Sequence, residues 1–298
     1  MVSGYRRSLS FPNPPASKLG KRAIHVRSTS LPCSRSHPLI SQLKDQINYL
    51  KTTWSGTGNQ AASSGWLCDG LKQLKAIHES LDDLLQLPQA RESLRRHSGW
   101  IEKLLDDILG LVDVYGIFQS LVLTLRQDHL AAQVSVRRRD DSKAAAYAKA
   151  LRKFAYEMDK LVSALGKCSA PVGFEPACDG DAELAEITRD VNEVTAMVSA
   201  TLLCGISSSF TLQKSSWMGM RLSRKASLDH DKGVKEFQQV GALGRFWELR
   251  KKGDEEVKMV LQRMAEMEGC IGEIECGSEK VFRSLMNTRV SLLNVLTQ

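Results

Sequence analysis

Two six-residue stretches near the N-terminus repeat one pattern. Arg7-Ser8-Leu9-Ser10-Phe11-Pro12 and Arg27-Ser28-Thr29-Ser30-Leu31-Pro32 both read R-S-x-S-x-P. Ser10 and Ser30 each follow an arginine by three residues, the spacing basophilic kinases prefer, and each precedes a proline by two. Phosphorylation there adds nearly two negative charges, which an arginine cluster on another protein can pair with. Ser227, in Arg224-Lys225-Ala226-Ser227, has the upstream arginine without the proline.

Catalytic chemistry has less to work with. Asp82-Asp83 and Asp106-Asp107 have the start of an aspartate-rich Mg²⁺-diphosphate motif, but Gln86 and Gly110 stand where a further carboxylate is needed one turn on. Cys270 and Cys276 are six residues apart, a spacing that does not bring both to one helix face, and no histidine lies near them. The histidines (25, 37, 78, 97, 129 and 230) are scattered, and none is spaced as the base of a nucleophile pair. No Gly-rich phosphate loop, nucleophile elbow or dinucleotide fingerprint appears. The expectation is a chain that is not an enzyme, with no catalytic, cofactor-binding or metal site.

The paired serines sit in a segment of unusual composition. The chain carries a net charge of +7, with 41 Lys+Arg against 34 Asp+Glu. Arg6, Arg7, Lys18, Lys21, Arg22, Arg27 and Arg35 fall before residue 38, with no acid among them, so the remainder is neutral. A neutral body with a basic arm argues against nucleic acid bound along the whole surface. Residues 1–37 are also dense in Ser and Pro and poor in periodic apolar positions, so they are expected to be a disordered arm. The two serine motifs resemble the phosphoserine ligands of 14-3-3 proteins, and Ser10 and Ser30 are far enough apart for a dimeric partner to hold both. The same composition is that of an organelle transit peptide, which leaves plastid residence as the alternative to a cytoplasmic one. The start has no uninterrupted apolar run of the secretory kind, so the seven cysteines are expected as reduced thiols.

From residue 38 the texture is helical. Leu39, Leu43, Ile47, Leu50 and Trp54 stack on one face, with Ser36 and Pro38 suited to the helix start. Residues 55–65 read as a Gly/Ser linker. A second helix runs from about Trp66 to Leu87, where Pro88 stops it. From Ser98 the apolar period continues to Val136, a helix of about 40 residues or 60 Å, locally weakened by Gly110 and Gly116. Arg137–Asp141 is a polar corner, and helices follow through Leu151 and Leu161, then through Leu184 and Val198. Loops are expected near 169–180 and 205–233, and 234–252 is weakly helical. Val194–Gln213 is uncharged but rich in Ser and Thr, so it reads as core helix plus loop in preference to a membrane span.

The last helix has the clearest period. Val257, Val260, Met264, Met267, Ile271, Ile274, Ser278, Val281, Leu285, Thr288, Leu292 and Val295 alternate steps of three and four without a slip. Such a seam lines either an antiparallel bundle or a contact with another chain. No Val/Ile/Thr-rich strand run is present. The fold class is therefore all-α: a single elongated antiparallel bundle over 38–298 with a long C-terminal heptad helix.

The stretches RSTSLPCSRSHPLISQL (27–43), LDDLLQLP (81–88), WIEKLLDDILGLVDVYG (100–116) and TRVSLLNVLTQ (288–298) resemble the plant-specific family known as domain of unknown function 241, also called BPS-like or BYPASS-like. The resemblance extends over about 27–298. It implies a plant protein, a helical fold and an association with root and shoot development through signalling, and it brings no catalytic residues. The functional expectation is a non-catalytic interaction or regulatory protein with protein partners. The alternative is an enzyme or small-molecule carrier that uses a cavity between helices, which a pocket with converging polar groups would favour.

Overall fold

The computed structural model describes residues 37–55, 63–166, 179–210, 233–243 and 253–297. Its helices are α1 (Pro38–Ser55), α2 (Ser64–Leu85), α3 (Pro88–Arg96), α4 (Ser98–Arg137), α5 (Asp141–Leu165), α6 (Asp179–Phe210), α7 (Lys235–Leu243) and α8 (Asp254–Thr297). No strand occurs among the described residues, as the sequence leads one to expect. Residues 1–36 lie outside the described residues, and with them both serine motifs; Ser227 does as well.

Six long helices close a ring, and their directions follow from the side chains that meet. α2 runs antiparallel to α6, with His78 at Thr195 and Trp66 at Gly205. α2 runs parallel to α8, through Cys68–Glu273, Lys75–Ser284 and Asp82–Ser291. α8 is antiparallel to α4 through Arg126–Glu275 and Arg139–Asp254. α4 turns back into α5, and α5 is antiparallel to α6 through Phe154–Phe210 and Ser207–Asp159. α6 is parallel to α1 through Glu183–Lys44 and Asp190–Lys51. The ring is thus mostly antiparallel, and two neighbouring pairs run the same way because long connections join them.

Local chemistry explains most boundaries. Pro88 does not merely end α2, which stops at Leu85; it opens α3, a helix absent from the sequence expectation. Proline lacks the N–H that a first helical turn leaves unpaired, and it holds Leu87 extended (ψ 137°). The polar corner at 137–141 is a Schellman turn. Arg139 takes a left-handed φ of 54°, its N–H reaches Val136 O, and the Asp140 N–H reaches Ser135 O at 2.9 Å. The Asp140 carboxylate then accepts from the Lys143 N–H, capping α5. α4 passes unbroken through Gly110 and Gly116, and its 40 residues match the expected length.

Three expected loops are shorter than drawn. α6 continues through Gly205 to Phe210, so the loop placed at 205–233 begins no earlier than 211. Its serines looked like loop residues, but Ser209 donates to Gly205 O at 2.7 Å and Ser207 donates to Asp159. Back-bonding of this kind satisfies a hydroxyl inside a helix, while Ile206 and Phe210 carry the apolar period into the core. Likewise Ser55, Ser64 and Gly65 are helical, as are residues 179–180. Of the weakly helical 234–252, residues 235–243 form α7, with Val234, Phe237 and Val240 buried.

Gly70 marks the tightest approach in the ring. A Cβ built there would lie 2.7 Å from Cζ2 of Trp54, a ring held by stacking on Trp66 at 4.6 Å and by an N–H donated to Gln73. Gly70→Ala gains about 1 kcal/mol of helix propensity but forces a ring that cannot swing away, at about 1–3 kcal/mol. The expected net effect in urea unfolding is a loss of up to about 2 kcal/mol. Gly272→Ala, where the added carbon meets nothing within 4 Å, should instead gain up to about 1 kcal/mol.

Candidate interaction site

Every seam position from Val257 to Val295 is buried within the single chain, including Val260, Met264, Met267, Ile271, Ile274, Val281, Leu285 and Leu292. The seam faces α2 on one side and α4 on the other, with α7 packed beside it. It is core, and the two polar positions on it fit that role: Ser278 donates to Glu275 O and Thr288 to Ser284 O.

Polar side chains pin the register of this packing. His129 of α4 lies between α5 and α8, its Nε2–H donating to Met264 O at 2.8 Å while its Nδ1 accepts from the Tyr147 hydroxyl at 2.5 Å. Both ring nitrogens are used, so the imidazole is held neutral. Burial lowers its pKa, with the Met264 carbonyl and Glu268 working the other way. Burial also raises the Tyr147 hydroxyl, so its proton stays in the bond to His129. In α2, His78 donates its Nε2–H to Thr195 Oγ1 at 3.0 Å, and Thr195 passes its own proton to Val191 O at 2.6 Å. Tyr115 and Ser199 bond at 2.9 Å between α4 and α6.

These histidines carry no spacing signature of catalysis. Their neighbours did carry a readable signal: His78 follows Leu74 and Ile77 and precedes Leu81, and His129 stands between Leu125 and Ala132, each on the buried face of its helix. The carboxylate pairs serve the surface. Asp82 accepts from Ser291, Asp107 pairs with Lys103, and Asp83 and Asp106 are exposed. Cys270 is buried and Cys276 exposed, on different sides of α8, and Cys68, Cys204, Cys270 and Cys276 are free thiols. No group of three or more His, Cys, Asp or Glu gathers as a metal would require among the described residues.

An interior cavity lies where α2, α4, α6 and α8 converge. It measures about 20 Å³ and is lined by apolar side chains with the Tyr115–Ser199 pair at its edge. That is room for about one water. α4 and α6 are also long and apolar enough to cross a membrane; in this bundle 44% and 56% of their most apolar windows are buried. Arg7, Ser10, Pro12, Arg27, Ser30 and Pro32, expected to carry phospho-dependent docking, lie outside the described residues.

The fold and its interior define an all-helical bundle protein whose titratable core residues serve packing. The family model described as Protein BPS1 matches residues 70–295, well over half of the chain, and the chain belongs to that family. Comparison with curated proteins and with solved structures finds no match.

Proposed function

We propose that this chain is a non-catalytic interaction protein of plant developmental signalling, acting in root and shoot development and controlled by phosphorylation of its N-terminal arm. The observation that carries the reading is the duplicated R-S-x-S-x-P motif in a basic, acid-free segment that precedes a closed helical bundle. Phosphoserine at Ser10 and Ser30, each two residues before Pro12 and Pro32, supplies charge for arginines on a 14-3-3 dimer. Two linked sites bind in one event, so the pair outweighs either alone. Ser227 is a further kinase target. The protein works in the cytoplasm, with plastid import as the competing destination.

The bundle interior supports this reading over the carrier or enzyme alternative. A cavity of about 20 Å³ is far below the roughly 300 Å³ or more of a metabolite pocket, and its lining offers one hydroxyl pair in place of converging polar groups. The test is calorimetry of a peptide of residues 5–35, doubly phosphorylated at Ser10 and Ser30, against a 14-3-3 dimer. Micromolar or tighter binding is expected, weakened at least tenfold when only one serine carries phosphate. In the full chain, Ser10→Ala with Ser30→Ala should abolish capture. Equal binding of phosphorylated and unphosphorylated peptides overturns the reading.

A further inference from the structure

The side of α8 opposite its seam carries a second heptad row. Ala265, Gly269, Gly272 and Cys276 follow steps of four, three and four, and all but the seam side of this stretch faces outward. A Cβ added at Gly269 or Gly272 would meet nothing within 4 Å. In heptad terms the row supplies positions a and d, and the residues at e and g are Glu266, Glu273, Glu268 and Glu275. No Lys or Arg lies between Arg263 and Lys280.

α4 carries an exposed apolar stripe near this row. Arg126 pairs with Glu275 at 2.9 Å and Gln133 donates to Glu268 at 2.8 Å, which brings α4 alongside. Leu123, Leu130 and Val134 follow steps of seven and four, so they form a stripe on the outward side of α4. These three are 46%, 41% and 44% exposed, large apolar side chains with no cover. Along the row runs an open groove of about 560 Å³ lined by Arg126, Ala265, Glu268, Gly269, Gly272 and Glu279, with the three apolar side chains outside it.

The chemistry of the groove selects its occupant. A second copy of this chain would set glutamates against glutamates, and an anionic membrane would meet the same repulsion. A helix with Lys or Arg on both flanks meets glutamates on each, two of them free of α4 and two shared with Arg126 and Gln133, over a floor of small residues that admits close approach. We propose that this α4–α8 face docks a basic amphipathic helix of a partner protein. The row from Ala265 to Cys276 is about 17 Å long, so about 15 residues of partner helix cover it. The proposal rests on the reading of this chain as an interaction protein, but it does not involve the phosphorylated arm.

The probe is a fluorescent 21-residue helical peptide with Leu at a and d and Lys at e and g, whose own lysines disfavour self-pairing. Its counterpart carries Glu at e and g. By anisotropy, the full chain should bind the Lys peptide at least tenfold more tightly than the Glu peptide. Gly269→Leu with Gly272→Leu fills the floor, keeps the helix, and should weaken the Lys peptide at least tenfold. Glu266→Lys with Glu273→Lys, both at exposed positions, should reverse the preference between the peptides. Circular dichroism should show both variants folded as wild type, and the Ser10→Ala, Ser30→Ala chain should bind the Lys peptide unchanged, which separates this site from the arm. Equal binding of the two peptides, or wild-type affinity after the glycines are filled, overturns the proposal. So does a dimer of the chain itself that the glycine substitutions abolish, or co-flotation with phosphatidylcholine–phosphatidylserine vesicles that Leu123→Ser with Leu130→Ser abolishes.

Discussion

Leu285→Asp should unfold the bundle. Leu285 has no exposed surface and sits on the seam between α2 and α4, three turns from the end of α8. Removing the leucine costs about 2–5 kcal/mol in lost burial and residual cavity. The new carboxylate has no cation placed to receive it in that apolar setting, and burying an unpaired charge costs several kcal/mol more. Together these reach the roughly 5–15 kcal/mol that hold a domain together. Circular dichroism should show a collapse of helical signal, and gel filtration should show aggregated or expanded chain. Two companion substitutions isolate the cause. Leu285→Met keeps volume and polarity and should cost less than about 1.5 kcal/mol. Leu293→Asp, on an exposed side of the same helix, should stay within about 0.5 kcal/mol of wild type. A folded Leu285→Asp chain with wild-type elution would mean the seam is not core.

That seam was legible before any coordinates because one physical rule dictates it. A helix that must bury a stripe against neighbours along its whole length shows the stripe as an unbroken period, and all twelve positions from Val257 to Val295 are buried. The 40-residue length of α4 and the corner at 137–141 were readable for the same kind of local reason. What the period does not carry is direction and partner choice. That α2 runs parallel to α8 follows from tertiary packing, and nothing in either helix alone encodes it. α3 was hidden because Pro88 breaks one helix and starts another with the same ring. The end of α6 was hidden because serine and glycine look alike in loops and in helices whose hydroxyls bond back one turn. The buried position of His78 and His129 was readable from their apolar neighbours, but their neutral state was not, because it depends on partners from other helices. For the R-S-x-S-x-P repeats the position is reversed: the pattern is local and needs no bundle geometry to be read, and its phosphorylation is the proposal that the peptide titration tests.

Acid should weaken this protein before its carboxylates titrate, and His78 is the main reason. Its Nε2–H is committed to Thr195, whose own proton is committed to Val191 O, so the ring is locked with Nδ1 as an acceptor. Nδ1 is buried and has no partner among the described residues. Protonating it would place a charge and an unpaired N–H in the core, and burial accordingly pushes the His78 pKa down to about 4. In the unfolded chain the same ring titrates near its ordinary value of about 6.5. Below that pH the unfolded state binds the proton and the folded state does not. The stability tied to His78 is therefore complete above about pH 6.5 and is lost as pH falls toward about 4, with a total near 3 kcal/mol. His129 is shifted in the same direction by its burial and adds to the loss in the same window. Urea unfolding at pH 7.5 and pH 4.5 should show the drop, and His78→Leu should remove its larger part. Leucine fills similar space, leaves Thr195 bonded to Val191 O, and removes the unpaired acceptor, so it should be near neutral at pH 7.5. At pH 4.5 the variant should exceed wild type by about 2–3 kcal/mol. Parallel stability curves for wild type and His78→Leu across this range would show that the ring is protonated in the folded core.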